Sequence, residues 1–461
     1  MVVAETVFGV GIVRDSRGVV SWGGRKADFG RRYSRGDNPD WKGVAIEISA
    51  RRERLMARHA WLWALASIVL VVSLVGCGRS DDSVFGVGYK VRYGDLEVFA
   101  VTPPERFVGR APLMSPGRAA QEELDAALRE EHPEFFAPTD PPPVGTRAMA
   151  EFEPVDAVYM AFDAETEQFT KEVIRAVLPV VPVVVTLTDD ESPERFENLL
   201  LSGSFGGSDV HLINLRHDNF WTRDFGPVSV ELPDGRPAFL DFIYPQTRVL
   251  DDGLPSALAL AYQVPVYRVP LKMEGGVFMT NGDGLCVTTT SLAVGNPELS
   301  FEELSRGIER ALGCSQLVFL ESPRNEPTGH VDMIAKFTQR DTLLLGSFDP
   351  GDSPEDAALM DRNAGLLKSI ETGRGRRLQV VRIPMPAAEG DLYRSYTNSL
   401  LVNKTAVVPT YGDDPHRQKS ALGAYRRALP VGWQLKTVDA SSAIGLGGAI
   451  HCAALELRLA N

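Results

Sequence analysis

Downstream of residue 150, apolar positions recur in a fixed order: two short strand-like runs, a stretch with helical spacing, then another strand-like run. Pro227–Leu232 and Pro237–Ile243 flank the turn Pro233-Asp234-Gly235-Arg236 and predict a hairpin, followed by a helix near Leu254–Tyr262 and a strand at Val266–Val269. Val277–Met279 and Leu285–Thr290 begin the next round around Asn281-Gly282-Asp283-Gly284, continued by helix Phe301–Leu312 and strand Gln316–Leu320. Met333–Phe337, Thr342–Leu345, helix Pro354–Ile370 and strand Leu378–Ile383 make a third. Ser399–Val402 and Thr405–Pro409 around Asn403-Lys404, helix Pro415–Ala428 and strand Gln434–Val438 make a fourth. The fifth is split, with Ala453–Leu459 supplying its first strand and Ala157–Ala161, helix Ala164–Val177 and strand Pro182–Leu187 the rest. Four elements per unit and five units predict an α/β fold, a five-unit ββαβ propeller with pseudo-five-fold symmetry whose last strand closes on its first unit.

Upstream of this body the pattern changes. Met56-Ala57-Arg58-His59 precedes the apolar run Ala60–Gly76, and Cys77 follows directly, the layout of a signal peptide over 56–77. Leu74-Val75-Gly76-Cys77 resembles a bacterial lipobox, which implies lipidation of Cys77 and an exported protein, periplasmic or anchored at the outer membrane. A membrane-spanning signal anchor is the competing reading, although the run is short for that. Residues 1–55 are Gly- and Arg-rich without periodicity and read as an over-extended or disordered segment. Residues 78–149, with one helical stretch at Arg118–Arg129 and a Pro138–Pro143 run, read as a tether, leaving 150–461 as the catalytic domain.

Charge narrows the partners. The chain carries -13 overall, yet residues 1–77 hold 12 Lys and Arg against 7 Asp and Glu, so the remainder stands at -18. A body this acidic repels phosphate backbones, which argues against nucleic acid and suits a cationic small molecule or peptide. With Cys77 assigned to lipidation, Cys286, Cys314 and Cys452 remain, an odd number that guarantees one free thiol in a monomer. Whether Cys286 and Cys314 pair is open at this stage.

Polar residues cluster in the segments that precede each new hairpin. They are Trp221-Thr222-Arg223-Asp224-Phe225-Gly226, Met273-Glu274-Gly275-Gly276, Thr328-Gly329-His330-Val331-Asp332, Tyr393–Asn398 and Gly445–Cys452. In a ring, equivalent positions of successive units face one axis, so Asp224, Glu274, His330, Asp332, Asn398 and Cys452 are expected to meet there. A lone Cys near a chain end is ordinarily a small buried hydrophobe, and a Gly-Gly pair ordinarily a turn. The alternation His330-Val331-Asp332 predicts a strand with both polar side chains on one face. Such a couple is a hydrogen-bonded pair, a metal site or an acid/base unit. His211, His217, His416 and His451 show no spacing that would complete a metal site with His330, so no metal is expected. A thiol, a histidine, an asparagine and two aspartates together suggest thiolate catalysis on a cationic substrate, because a second carboxylate opposes a thiolate unless a cation lies between them. Guanidinium is such a cation, planar and always charged, with donors in forks that match carboxylates.

The ordered motifs WTRDFGP, MEGG, GHVD, SYTN and GGAIHC, with Ala150-Glu151-Phe152-Glu153-Pro154 ahead of them, resemble the agmatine deiminase and Porphyromonas-type peptidyl-arginine deiminase family. The resemblance implies a pentein-like propeller and hydrolysis of a guanidino group to a ureido group plus ammonia, without cofactor. It assigns Cys452 as nucleophile, His330 as general acid/base, and Asp224 and Asp332 as guanidinium clamps. Asn398 and Glu274 would line the pocket, Trp221 would cover the substrate's alkyl stem, and Arg223 would meet a substrate carboxylate. The chain departs from many relatives in having Ala453-Ala454-Leu455 where a hydroxyl residue follows the cysteine. Peptidyl-arginine, agmatine and free arginine all fit as substrate, with export favouring the peptide. Two other readings stand beside this one: an exported lipoprotein that binds guanidino compounds or peptides without turnover, and a thiol peptidase using Cys452, His330 and Asn398. The second leaves Asp224 and Asp332 without a task.

Overall fold

The computed structural model describes residues 88–461, except 108–118, 188–192, 206–208, 214, 216, 246–247, 391 and 460–461. The segments read as an over-extended start and a signal peptide, with Cys77, lie outside the described residues. No helix among the described residues is long and apolar enough to cross a membrane.

The fold is mixed α/β, with five separate sheets. Each sheet contains the same trio, an antiparallel pair followed by a parallel partner that a helical crossover delivers. In the first, Leu455–Leu457 pairs antiparallel with Ala157–Phe162, which pairs parallel with Val183–Leu187. The second runs Val228–Glu231, Pro237–Ile243, Val266–Lys272, and the third Phe278–Thr280, Leu285–Thr289, Gln316–Leu320. The fourth runs Ala335–Gln339, Thr342–Ser347, Gln379–Pro384, and the fifth Leu400–Val402, Thr405–Thr410, Gln434–Asp439.

Local chemistry accounts for these elements. Helix Phe301–Leu312 opens with a reciprocal cap, in which the Ser300 hydroxyl accepts from Glu303 N (3.2 Å) and the Glu303 carboxylate accepts from Ser300 N (2.9 Å). Helix Pro415–Ala428 starts with proline behind Asp414, whose carboxylate accepts from Arg417 N at 2.8 Å. Asn403 and Lys404 both take positive φ, 42° and 68°, as a two-residue hairpin turn requires. The central strand of the first sheet has all six residues of Ala157–Phe162 buried, as expected where both faces of a strand are covered.

Polar bonds connect the sheets in succession. Arg223 and Ser229 reach Glu456 between the first and second sheets, and Arg147 reaches Gly282 O between the second and third. Asn281 donates to Arg340 O between the third and fourth, and Thr338 to Ala428 O between the fourth and fifth. The Asn403 amide brackets Val155 N and O (both 3.0 Å), joining the fifth sheet back to the first.

Residues 88–149 are more than a tether. The hairpin of Tyr89–Tyr93 and Leu96–Ala100 adds two strands to the third sheet, through parallel pairing of Leu96–Ala100 with Gln316–Leu320. Tyr89, Tyr93 and Phe107 all pack edge-on against Phe301. Farther on, Arg268 bonds Asp241 and Asp252 and also the carbonyl of Phe136, which pins this segment to the second sheet. The alternation Tyr89-Lys90-Val91-Arg92-Tyr93 marks a strand, but nothing local names the distant sheet edge on which the hairpin docks, so the docking was not visible in the sequence. Cys286 and Cys314 form a disulfide across the third sheet, and Cys452 is the free, buried thiol among the described residues.

Candidate active site

The five segments that precede the hairpins meet around Cys452. Arg223 N donates to Cys452 O (3.0 Å), Asp332 N to Gly276 O (3.2 Å), the Thr397 hydroxyl to Asp332 O (3.1 Å), and His451 N to Asn398 O (3.2 Å). Each segment is thus fixed to a neighbour through its backbone or, for Thr397, a side-chain hydroxyl, and the site's side chains are held on rigid supports.

Asn398 organises the thiol. Its side-chain oxygen accepts from the N–H groups of Ala449 (3.2 Å), His451 (3.1 Å) and Cys452 (3.3 Å), while its amide nitrogen lies 3.1 Å from Cys452 Sγ. It is fully buried, so it clamps the nucleophile's turn instead of lining an open pocket. Gly448 is needed for the same turn. A Cβ there would come within 2.8 Å of the Trp221 ring and 3.0 Å of Cys452 Sγ. The indole of Trp221 therefore lies against the turn beside the sulfur.

His330 stands between two carboxylates, its Nε2 2.8 Å from Glu274 Oε2 and its Nδ1 3.6 Å from Asp224 Oδ1. A Cβ on Gly276 would meet His330 Nδ1 at 2.4 Å, so the Gly-Gly pair leaves space for the imidazole. Residues 330–334 form a turn before strand Ala335–Gln339, not the alternating strand predicted. His330 and Asp332 reach the site all the same, because the turn is held by Ile334 N donating to Val331 O (3.1 Å). Asp332 Oδ2 lies 3.9 Å from Cys452 Sγ.

Arg223 takes a different place from the one expected. It is buried, and its guanidinium donates to Glu456 (2.5 Å) and to the carbonyls of Ala454 (2.9 Å) and His451 (3.4 Å). The carboxylate it meets belongs to the strand after Cys452, so its charge is spent inside the protein.

Three polar atoms in this cluster are buried without a hydrogen-bond partner among the described residues: Asp224 Oδ1, His330 Nδ1 and Asp332 Oδ1. Buried polar atoms are nearly always paired, and exceptions concentrate where a ligand is bound. Two carboxylate oxygens beside a thiol offer acceptors for a planar, forked cation, and the imidazole can supply a proton.

The electrostatics follow from burial and close charges. Burial, with the charges of Glu274 and Asp332 against the help of His330, pushes the Asp224 carboxyl up to about 8. His330 is held well above its ordinary value: burial works against the charged ring, but Asp224 and the contacts with Cys452 and Glu274 outweigh it. For Asp332, burial is overcome by the hydrogen bond and charge of His451, and its carboxyl lies below the ordinary range. Burial, then the negative charge of Asp332, pushes the Cys452 thiol up to about 12. Adding a cation among these groups would favour both the carboxylates and the thiolate.

Three residues that sequence reasoning did not single out support the site. His451 Nδ1 is 2.6 Å from Asp332 Oδ2, its Nε2 is 2.8 Å from Glu151 Oε1, and Lys336 Nζ is 2.6 Å from Glu151 Oε2. Glu151 stood in a recognised motif and His451 beside the thiol, but neither had a partner nearby in sequence to suggest a pair. Glu151, His451 and Glu456 offer three ligand atoms within 4.8 Å of one another. Both His451 nitrogens are already held by carboxylates, and Lys336 and Arg223 balance the glutamates, so the group is neutralised by the protein's own cations.

Residues 147–457 match the family profile of the Porphyromonas-type peptidyl-arginine deiminases. A Legionella pneumophila protein named for agmatine deiminase activity is 27% identical, over 68% of this chain and 95% of its own length. A Streptomyces coelicolor protein named likewise is 28% identical, over 66% and 97%. Among solved structures, the agmatine deiminase of Enterococcus faecalis superposes with a TM-score of 0.60 at 24% identity, over 68% of this chain and 96% of its own. The C. jejuni agmatine deiminase gives 0.59 at 20%, over 68% and 97%.

Proposed function

The chain belongs to the Porphyromonas-type peptidyl-arginine deiminase family, and from that premise we propose that it hydrolyses a guanidino group to a ureido group and ammonia through a covalent bond to Cys452. The observation that carries the reading is the set of buried atoms without a hydrogen-bond partner among the described residues, Asp224 Oδ1, Asp332 Oδ1 and His330 Nδ1, around the free thiol of Cys452. Asp224 and Asp332 hold the guanidinium nitrogens and set the central carbon in front of Sγ. The substrate's positive charge lowers the cost of the thiolate that burial and Asp332 otherwise oppose. The thiolate attacks the carbon; His330 donates a proton to the departing nitrogen as the C–N bond breaks, and ammonia leaves an S-alkylthiouronium. Water then gives a proton to neutral His330 and its oxygen to the same carbon. The C–S bond breaks, the thiolate is regenerated, the second proton of the water passes to solvent and thence to ammonia, and the ureido product departs. Glu274 steadies the charged imidazole and Trp221 flanks the alkyl stem.

The wider reading has the five sheets arranged as a five-unit α/β propeller around the site, supported by the repeated trio of strands and by the bonds that link each sheet to the next and the fifth to the first. It also has the body exported behind a lipid anchor at Cys77. The Cys286–Cys314 disulfide supports that location, since structural disulfides persist in oxidising compartments. An exported deiminase meets arginine peptides more readily than cytoplasmic agmatine.

The test is ammonia release from agmatine, arginine and an arginine peptide, by the intact protein and by Cys452→Ala. Turnover of at least one substrate, abolished by the substitution, is expected. A folded protein that releases none overturns the proposal, and cleavage of the peptide backbone would mark a peptidase instead.

A further inference from the structure

His451 is the residue immediately before the nucleophile, and nothing in the reaction as written uses it. Its side chain is nevertheless 1% exposed and makes two short contacts, 2.6 Å to Asp332 Oδ2 and 2.8 Å to Glu151 Oε1. An ionised carboxylate only accepts hydrogen bonds, so both contacts need ring N–H groups, which describes an imidazolium between two carboxylates. Glu151 is fixed in turn by Lys336, itself 1% exposed, at 2.6 Å from the other carboxylate oxygen. The row Lys336, Glu151, His451, Asp332 thus alternates in charge and ends on the clamp.

We infer that His451, braced by Glu151 and Lys336, is the positioning residue for Asp332. This rests on the reading of Asp332 as a guanidinium clamp. Two consequences follow from the geometry. The bond to Oδ2 fixes the plane of the carboxylate, so that Oδ1, which has no partner among the described residues, is the oxygen presented to substrate. Oδ2 is also the oxygen 3.9 Å from Cys452 Sγ, and the proton on His451 Nδ1 spends part of its charge beside the sulfur. Without that proton a carboxylate with its full charge would face the thiolate. A bond of this kind to an aspartate can hold an acceptor within the few tenths of an ångström that a reacting geometry demands, and a displacement near 1 Å costs on the order of 100-fold in rate.

The experiment compares the intact enzyme with His451→Ala, His451→Asn and Glu151→Gln. Asparagine can place its amide N–H near the position of Nδ1 and so restore the donor to Asp332, without the charge. Steady-state kcat and KM are read on the best guanidino substrate. In parallel, thiolate formation at Cys452 is titrated through the pH dependence of its alkylation rate on folded protein, as a difference against Cys452→Ala. The charged groups facing this thiol are Asp332, Asp224, His330 and His451, with Arg223, Glu274 and Glu151 behind them, and each substitution alters one. His451→Ala is expected to lose about 100-fold in kcat/KM and to move thiolate formation to higher pH. His451→Asn should recover at least tenfold of that loss while keeping the alkaline shift, and Glu151→Gln should lose less than His451→Ala. Melting temperatures identify any variant that fails to fold. Parent-like kinetics and titration in His451→Ala overturn the inference, as does an equal loss in His451→Ala and His451→Asn with an unmoved thiolate curve, which would mark a structural role only. The titration needs no turnover, so it still reads the arrangement if the substrate proposal itself fails.

Discussion

Asp224 is the residue at which folding and catalysis conflict most plainly. Its carboxyl is pushed up to about 8 chiefly by burial, far above the ordinary value of 3.8, so the fold disfavours the ionised form that a clamp needs. The sign follows from linkage: a carboxyl raised in the folded state has no effect below the unfolded value, and stability is lost progressively as pH rises toward the folded one. Asp224→Asn should therefore melt higher than the parent at pH 7 to 8, by about 1–2 kcal/mol, while losing activity. The parent's kcat/KM should fall as pH drops through about 8, because the free enzyme must ionise Asp224. The kcat profile should hold to lower pH, since bound guanidinium favours the carboxylate. Calorimetry and two pH–rate series check this, and coincident acid limbs would contradict it. The acidic and thiol members of this site were legible in the sequence because motif order placed them. What Asn398 and Arg223 do was not legible. A buried amide that clamps three backbone N–H groups and an arginine spent on Glu456 look, in sequence, like any polar residues near a pocket.

Elements were more legible than their attachments. Helices Phe301–Leu312 and Pro415–Ala428 occur with the bounds their caps and periodicity predict. Repeat logic also found the pairing of Leu455–Leu457 with Ala157–Phe162, across almost the whole body of the chain. The segment His330-Val331-Asp332 was misread, because a three-residue alternation carries the same pattern whether the backbone is extended or folded into turns. The hairpin 89–100 escaped notice since its outer strand is half exposed and its inner one docks on an edge that nothing local announces. Arg268 shows how firmly this upstream region is held. Its guanidinium, 4% exposed, contacts Asp241 at 2.7 Å, Asp252 at 2.8 Å and the carbonyl of Phe136 at 3.1 Å. Arg268→Met leaves buried Asp241 without its cation and Asp252 with Arg129 alone, and should lower stability by about 3–5 kcal/mol, read by denaturant melts. A loss under 1 kcal/mol would mean that residues 133–140 contribute nothing through this contact.

At the scale of the molecule, each sheet presents one segment to the site, and the first sheet joins the start of the repeated body to its end. Strand Leu455–Leu457 has a double task, completing that sheet and supplying Glu456 to Arg223, whose backbone N–H holds Cys452 O. Ending the chain after Ala454 should abolish turnover and lower the melting temperature, even though every residue assigned to catalysis is retained. Deimination at parental rates by that truncated protein would sink the claim. The same layout sets a schedule for biosynthesis. Ribosomes deliver Asp224, Glu274, His330, Asp332 and Asn398 before Cys452, and Cys286 and Cys314 also emerge first. In an exported chain Cys286 and Cys314 would cross the membrane before Cys452, so their disulfide could close on the oxidising side ahead of the third thiol. No growing chain carries an assembled nucleophile either, because the strand that locks it in place is synthesised after it.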